Sequence, residues 1–382
     1  MATSVYVHFP WCLQKCPYCD FASGAIRRPD VPHRAYAEAL LAELRLRGPA
    51  VATETLASVF FGGGTPSLWS ASELGRVLDA VRGVFAAEVD DLEVTVECNP
   101  TSLDRTSARA LRDAGVNRLS IGVQSLDDAQ LRFLGRLHDA SSGLRAVQDA
   151  LSEMPRVSAD LIFGLPGQPP EQAVEHARAL AALGLRHLSV YGLTIEPGTQ
   201  FGQLHAKGRL PLAREDDVAT AFEQISAALQ VEGFEHYEVS NYAWPGERAR
   251  HNEHYWRGGA YLGLGAGAVG CLHEGAGRGR RYRNEPKPER YLACSGSPAI
   301  EVFEERLGPE ELVREQLMLG LRTRDGVSLE RAAAVSGVDP RKGRERALSR
   351  AQDRADVLLE DRMLRVPHGR WLHLDSIVAG LF

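Results

Sequence analysis

Val5-Tyr6-Val7-His8-Phe9-Pro10-Trp11-Cys12-Leu13-Gln14-Lys15-Cys16-Pro17-Tyr18-Cys19 is the stretch whose reading decides the fold. Its first five residues are β-branched or aromatic at nearly every position, as in a strand. Three cysteines in the spacing CxxxCxxC follow at once. Outward from there, β-branched runs at 58–61, 93–97, 118–122, 158–163 and 187–193 predict five more strands, and amphipathic patterns predict helices at 33–47, 71–86, 104–113, 128–150 and 170–183. Strands that alternate with helices pair in parallel through right-handed crossovers. Six such units predict an α/β fold built on a partial (β/α)6 barrel.

Parallel barrels carry their chemistry on the loops after the C-terminal strand ends. The unusual segments fall there: Cys12–Cys19 after the first strand, Gly62-Gly63-Gly64-Thr65-Pro66 after the second, Glu97-Cys98-Asn99-Pro100 after the third, Gly122-Val123-Gln124-Ser125 after the fourth and Gly164-Leu165-Pro166-Gly167 after the fifth. Beyond about residue 210 the pattern changes. A helix at 214–232 leads to the aromatic, histidine-rich segment His251-Asn252-Glu253-His254-Tyr255-Trp256, then to the glycine run 263–267. Residues 276–288 are basic, punctuated by Gly and Pro, and predict a loop. From about 306, three helical stretches precede strands at 363–366 and 371–374, a C-terminal α+β extension that includes a small winged-helix-like unit. The expected division is 1–210, 211–300 and 301–382.

With 382 residues the chain exceeds one small core. Its net charge of −6 and sequence pI near 6.1 give no electrostatic footprint for nucleic acid. The arginines of 341–354 alternate with Glu345 and Asp353 and read as a solvated helix face. Met1 leads directly into a strand-like run rather than a signal peptide. No apolar stretch reaches the ~18 residues of a membrane span, so the expected location is cytoplasmic. Six cysteines, three of them within eight positions, read as a metal or catalytic set rather than a disulfide framework.

Three thiolates on one tight loop can hold three irons of a [4Fe–4S] cubane and leave the fourth open to an added chelator. Zinc is the alternative, but it usually takes four protein ligands and no second CxxC-like pair follows. A redox CxxC would leave Cys12 unexplained. Glycines at 62–64 allow close backbone approach to a ligand, or merely make a tight turn. Glu97, Gln124, Arg136 and Asp160 are polar groups at or just beyond strand ends. Singly each reads equally well as a solvated loop side chain; together they can hydrogen-bond ribose hydroxyls and a carboxylate. Cys98, Cys271 and Cys294 read as small buried or partly buried hydrophobes.

The segments YVHFPWC, CPYCDF, GGGTP, GVQS, DLIFGLPGQ and LTIEPGT together resemble the oxygen-independent coproporphyrinogen oxidase family of radical SAM proteins, most of all its HemW-type branch of heme chaperones. The resemblance covers nearly the whole chain. It implies a [4Fe–4S] cluster on Cys12, Cys16 and Cys19, with S-adenosylmethionine at the open iron. Tyr6, Tyr18, Gly63, Gly64, Thr65, Glu97, Gln124, Arg136 and Asp160 match positions that contact this cofactor in the family, as do Thr194 and Val269 less closely. His251-Asn252-Glu253-His254-Tyr255-Trp256 matches the HNxxYW motif of the chaperone branch, which implies heme near 251–256 and passage of heme to an acceptor protein. Imidazole is the common proximal ligand of heme iron, and His251 holds the motif's first position, so it is the expected ligand. A histidine in an aromatic segment is otherwise more often a hydrogen-bonded core residue. Tyr255, Trp256 and Trp244 offer flat apolar contact, in an extended or turn conformation.

Two departures separate the chain from the decarboxylating enzymes. Those continue as CxxxCxxCxC, whereas Phe21 stands here, and they carry an N-terminal extension that is not expected in this chain. The expected function is therefore heme chaperoning, with coproporphyrinogen III oxidation or a related radical SAM methyl transfer as the alternatives.

Overall fold

The computed structural model describes residues 2–382. Six strands, β1 (Ala2–Phe9), β2 (Thr55–Gly63), β3 (Ala87–Cys98), β4 (Arg118–Gln124), β5 (Arg156–Phe163) and β6 (His187–Gly192), lie side by side in chain order, each parallel to the next. The chain then adds β7 (Glu235–Glu238) and β8 (Asn241–Ala243) beyond β6, with β8 paired antiparallel to it. On the other side β9 (Ala260–Leu264) runs parallel to β1, and β10 (Val269–His273), β11 (Gly279–Asn284) and β12 (Glu301–Leu307) follow antiparallel. The twelve-stranded order is β12-β11-β10-β9-β1-β2-β3-β4-β5-β6-β8-β7, so the barrel is partial and open.

Period-2 alternation decides which residues meet the core. Val5, Val7 and Phe9 are almost wholly buried and belong to the same apolar cluster as Tyr36, Leu40 and Leu44 of helix His33–Arg47 and Leu74, Leu78 and Val81 of helix Ala71–Val84. Burying each such side chain contributes about 1.5–3 kcal/mol. The opposite face of the sheet carries Ser4, Tyr6 and His8 of β1 and Ser58 of β2, with the Ser4 and Ser58 hydroxyls 2.7 Å apart. Asp104 starts helix Arg105–Asp113 with a reciprocal capping box to Ser107. At the exit of β1, Phe9 and Trp11 pack edge-on at 5.2 Å, and Trp11 meets Tyr36 at 4.9 Å. This aromatic knot fixes the direction in which the cysteine loop leaves the sheet.

Four expectations needed correction. The helix expected at 128–150 is two helices, Asp128–Phe133 and Ala140–Glu153, separated by Gly135 at φ 66°. The expected loop at 276–288 contains β11: Arg281 stands opposite Glu305 of β12 with a 2.8 Å hydrogen bond, while Tyr282 is fully buried on the other face. Residues 371–374 are not a strand. The second strand of that hairpin is Met363–Arg365, paired with Leu358–Glu360, and His368–His373 is a short 3-10 helix. The segment Arg250–Trp256 is a helix rather than an extended turn. Leu358–Glu360, Met363–Arg365 and Val327–Ser328 form a three-stranded sheet that shares a separate apolar core with helices Pro309–Gly320, Leu329–Ser336 and Glu345–Asp353.

Candidate functional site

The C-terminal strand ends converge on one cleft. Cys12, Cys16, Tyr18, Cys19, Gly63, Gly64, Thr65, Glu97, Gln124, Arg136 and Asp160 all line it, joined by Cys98, Ser120 and Phe21. Two devices position the cysteine loop. Trp11–Cys12 pairs in parallel with Gly24–Ala25, which pins both ends of the loop. The amides of Gly64 and Thr65 donate to the carbonyls of Phe9 (2.7 Å) and Trp11 (2.8 Å), which ties the glycine turn to the same strand exit. Gly63 sits at φ 106°, and a side chain there would run into the His8 ring.

Tyr6 lies behind the cleft rather than on its wall. Its hydroxyl meets His8 Nδ1 at 2.9 Å, and His8 Nε2 meets the Ala22 carbonyl at 3.0 Å. A carbonyl only accepts, so Nε2 carries the proton and Nδ1 accepts from Tyr6. Burial holds the His8 ring neutral, with its pKa lowered to about 4. His8 thus connects β1 to the residue three places after Cys19. Sequence reading passed over it, although its inward position two residues from Tyr6 was visible in the strand's alternation.

Electrostatics complete the picture. Burial, reinforced by Asp160, pushes the Glu97 carboxyl up to about 8 even though the Gly63 amide donates to it at 2.9 Å. Burial likewise raises Asp160, which accepts from the Ser120 hydroxyl at 3.1 Å. Arg136 donates from Nη2 to the Gly122 carbonyl at 2.7 Å and from Nη1 to Cys16 Sγ at 3.6 Å, while its Nε is buried without a partner. Gln124 adopts φ 68°, a left-handed conformation unusual for a residue other than glycine and characteristic of functional sites. The Cys98 thiol donates to the Val96 carbonyl and burial raises it, so it behaves as a buried thiol. Thr194 and Val269 are not among the lining residues. Thr194 sits on the exposed turn after β6, and Val269 opens β10 opposite Arg283.

The HNxxYW segment lies at the other end of the barrel. Glu93, buried midway along β3, accepts the backbone amides of Arg250 (3.1 Å) and His251 (3.0 Å), and so holds the first turn of helix Arg250–Trp256 against the barrel floor. The His251 ring is buried, stacks on Phe60 at 4.9 Å and meets Ser58 Oγ through Nδ1 at 2.8 Å. Burial lowers its pKa to about 3. His254 Nε2 meets the Ala260 carbonyl at 2.8 Å. Asn252, Tyr255 and Trp256 instead face a second, larger cleft of about 680 Å³, shared with Tyr191, Met318, Leu319, Arg322 and Phe382. Trp244 lies elsewhere, packed on Phe234.

The Radical SAM superfamily profile matches residues 6–180, and the HemN C-terminal domain profile matches residues 307–372. The chain is 38% identical to the heme chaperone HemW of Haemophilus influenzae over 76% of this chain and 75% of that protein. It is 35% identical to the heme chaperone HemW of Mycobacterium tuberculosis over 99% of this chain and 94% of that one. This chain belongs to the HemW family of radical SAM proteins. Its fold matches that of the coproporphyrinogen III oxidase HemN of Escherichia coli, a radical SAM enzyme, with a TM-score of 0.80 over 100% of this chain and 89% of that one, at 20% identity. At that identity the likeness speaks for the fold alone.

Membership of the Radical SAM superfamily implies an iron–sulfur cluster and S-adenosylmethionine, and the residues present fit both. Three thiols line one cleft. The orphaned Arg136 Nε and the half-buried carboxyls of Glu97 and Asp160 supply a donor and acceptors for an amino acid and a ribose, beside a wall that Gly63 and Gly64 line without side chains. Among the described residues no helix is long and apolar enough to cross a membrane.

Proposed function

We propose that this chain is a cytoplasmic heme chaperone. In this reading it holds a [4Fe–4S] cluster on Cys12, Cys16 and Cys19, binds S-adenosylmethionine beside it through the carried-over residues, and takes up heme for transfer to an acceptor protein. When bound, the cluster and its cofactor supply one-electron chemistry. The chain's own residues position them: Arg136 faces the Cys16 sulfur, and Glu97 anchors the glycine turn. Phe21 is 53% exposed at the mouth of this cleft, where the decarboxylating branch has a further cysteine; this weighs against the oxidase alternative.

The observation that carries the heme reading is the second cleft. Its volume lies within the ~300–1,000 Å³ of ordinary ligand sites, and its walls are mainly apolar: Tyr255 and Trp256 from the motif helix face Met318 and Leu319, with Phe382 alongside. Arg322, held by Glu238 at 2.7 Å, offers a cation beside this surface. The cleft joins the barrel to the C-terminal unit, and β7 to β12 extend the barrel sheet, so the segments 1–210, 211–300 and 301–382 are best read as functional divisions.

Reconstituted protein, titrated with heme and assayed in parallel with coproporphyrinogen III, tests the reading. Heme should bind in equimolar amount and no protoporphyrinogen should form. Multiple turnovers would promote the oxidase alternative. His251→Ala separates ligation from bracing. Ligation requires a shifted Soret band and a loss of about a hundredfold in affinity, at ~1.4 kcal/mol per decade; a wild-type heme spectrum with lowered stability assigns His251 to the floor. His254→Ala should leave the spectrum unchanged.

A further inference from the structure

The barrel floor contains a second polar cavity, which the cluster and heme readings leave unused. It has a volume of about 270 Å³ and lies at the starts of β4, β5 and β6, where Arg118, Arg156, Arg186, His187 and Glu247 form its polar wall. Arg118 is 3% exposed, and its Nη2 donates to Ser158 Oγ at 3.0 Å. Among the described residues no carboxylate lies within 4.0 Å of its guanidinium; Glu93 is engaged by Arg156 at 2.7 Å. A buried guanidinium without a contacting anion is costly, and such charges are ordinarily paired.

His187 adds a directed donor. Its Nε2 meets the Tyr237 hydroxyl at 2.8 Å, and that hydroxyl accepts the Ala249 amide at 3.2 Å. The hydroxyl proton is therefore free for His187 Nε2. Burial and the nearby charges of Arg118 and Arg156 keep the ring neutral. A neutral imidazole that accepts at Nε2 carries its proton on Nδ1, and His187 Nδ1 is buried with no partner. Three guanidiniums, of Arg118, Arg156 and Arg186, share this wall; Glu247 meets Arg156 at 3.2 Å and Arg186 at 3.5 Å, Glu93 meets Arg156 at 2.7 Å, and neither carboxylate contacts Arg118.

We propose that this cavity binds a small oxyanion, a phosphate or a free carboxylate, on Arg118, Arg156, Arg186 and the Nδ1–H of His187. An oxyanion accepts several N–H donors at once and matches the planar guanidinium fork. Chloride accepts N–H donors too, but a single sphere cannot match the two-pronged fork.

The test follows the unfolding midpoint of the full-length reconstituted protein while phosphate, acetate or chloride is varied at fixed ionic strength, with calorimetry for affinity. A saturable rise with phosphate or with acetate, absent with chloride, is expected, and the anion that acts names the class. Arg118→Gln and His187→Phe should weaken binding about tenfold to a hundredfold. Because loss of a buried arginine can itself unfold the chain, Arg186→Ala serves as the second variant. Its side chain is 61% exposed, so it should weaken the anion while leaving iron content unchanged. Oxyanions that act no differently from chloride, or that act equally on wild type and Arg186→Ala, would overturn the proposal.

Discussion

Replacing Gly64 by alanine tests whether the glycine turn and the cysteine loop form one unit. A Cβ at Gly64 would lie 2.5 Å from the Trp11 carbonyl oxygen and 2.8 Å from that of Phe9. Both obstacles are backbone, so no side-chain rotation relieves them. The turn must retreat from the strand exit and stretch the two amide–carbonyl bonds, of 2.7 and 2.8 Å, that join them. Losing two such bonds costs about 1–3 kcal/mol, and overpacking a tight site adds about 1–3 kcal/mol. Gly24→Ala is the matched control: it lies opposite Trp11 in the same pinned loop, yet a Cβ there meets nothing within 4 Å. Chemical denaturation and iron analysis after anaerobic reconstitution should find Gly64→Ala destabilised by about 2–6 kcal/mol and poor in cluster. Gly24→Ala should stay within about 0.5 kcal/mol of wild type. Equal iron content and equal stability in the two variants would refute the coupling.

Three further outcomes follow from the same geometry. Cys16→Ala should lose the iron–sulfur absorbance, because three thiolates are the minimum holding set; stoichiometric zinc in the wild type and no such absorbance would contradict the cluster. Glu93→Gln should cost about 1.5–3 kcal/mol, since the charge-assisted bonds of this buried carboxylate to Arg156 and to the Arg250 and His251 amides become neutral ones, while Glu247 still faces Arg156. Although burial pushes the Glu93 carboxyl upward, Arg118 and Arg156 and the His251 and Arg250 amides hold it below its ordinary value. Its stabilisation is therefore complete above the unfolded pKa near ~4.3 and fades as pH falls through the lower folded pKa, so denaturation curves of wild type and variant should converge there. Asp104→Ala should cost about 1 kcal/mol through the lost capping box, read from the urea midpoint.

The chemistry of the cofactor cleft was legible in the sequence because it depends on local spacing. CxxxCxxC places three thiols on one loop whatever surrounds it, and β/α alternation alone puts that loop and the glycine turn at the same end of a parallel sheet. The cap that Asp104 makes with Ser107 is equally local, its partners three residues apart. Tertiary structure decided the features whose partners are distant in the chain. Polarity and glycine made 276–288 read as a loop, but strands on both flanks turned Arg281 outward to Glu305 and buried Tyr282. His251 meets Ser58 and Glu93, 193 and 158 residues away, and those contacts set helix Arg250–Trp256 on the barrel floor, with Tyr255 and Trp256 on the larger cleft. Hydrogen bonds and burial between remote segments leave no periodic trace in either one, so only the folded chain could make that choice.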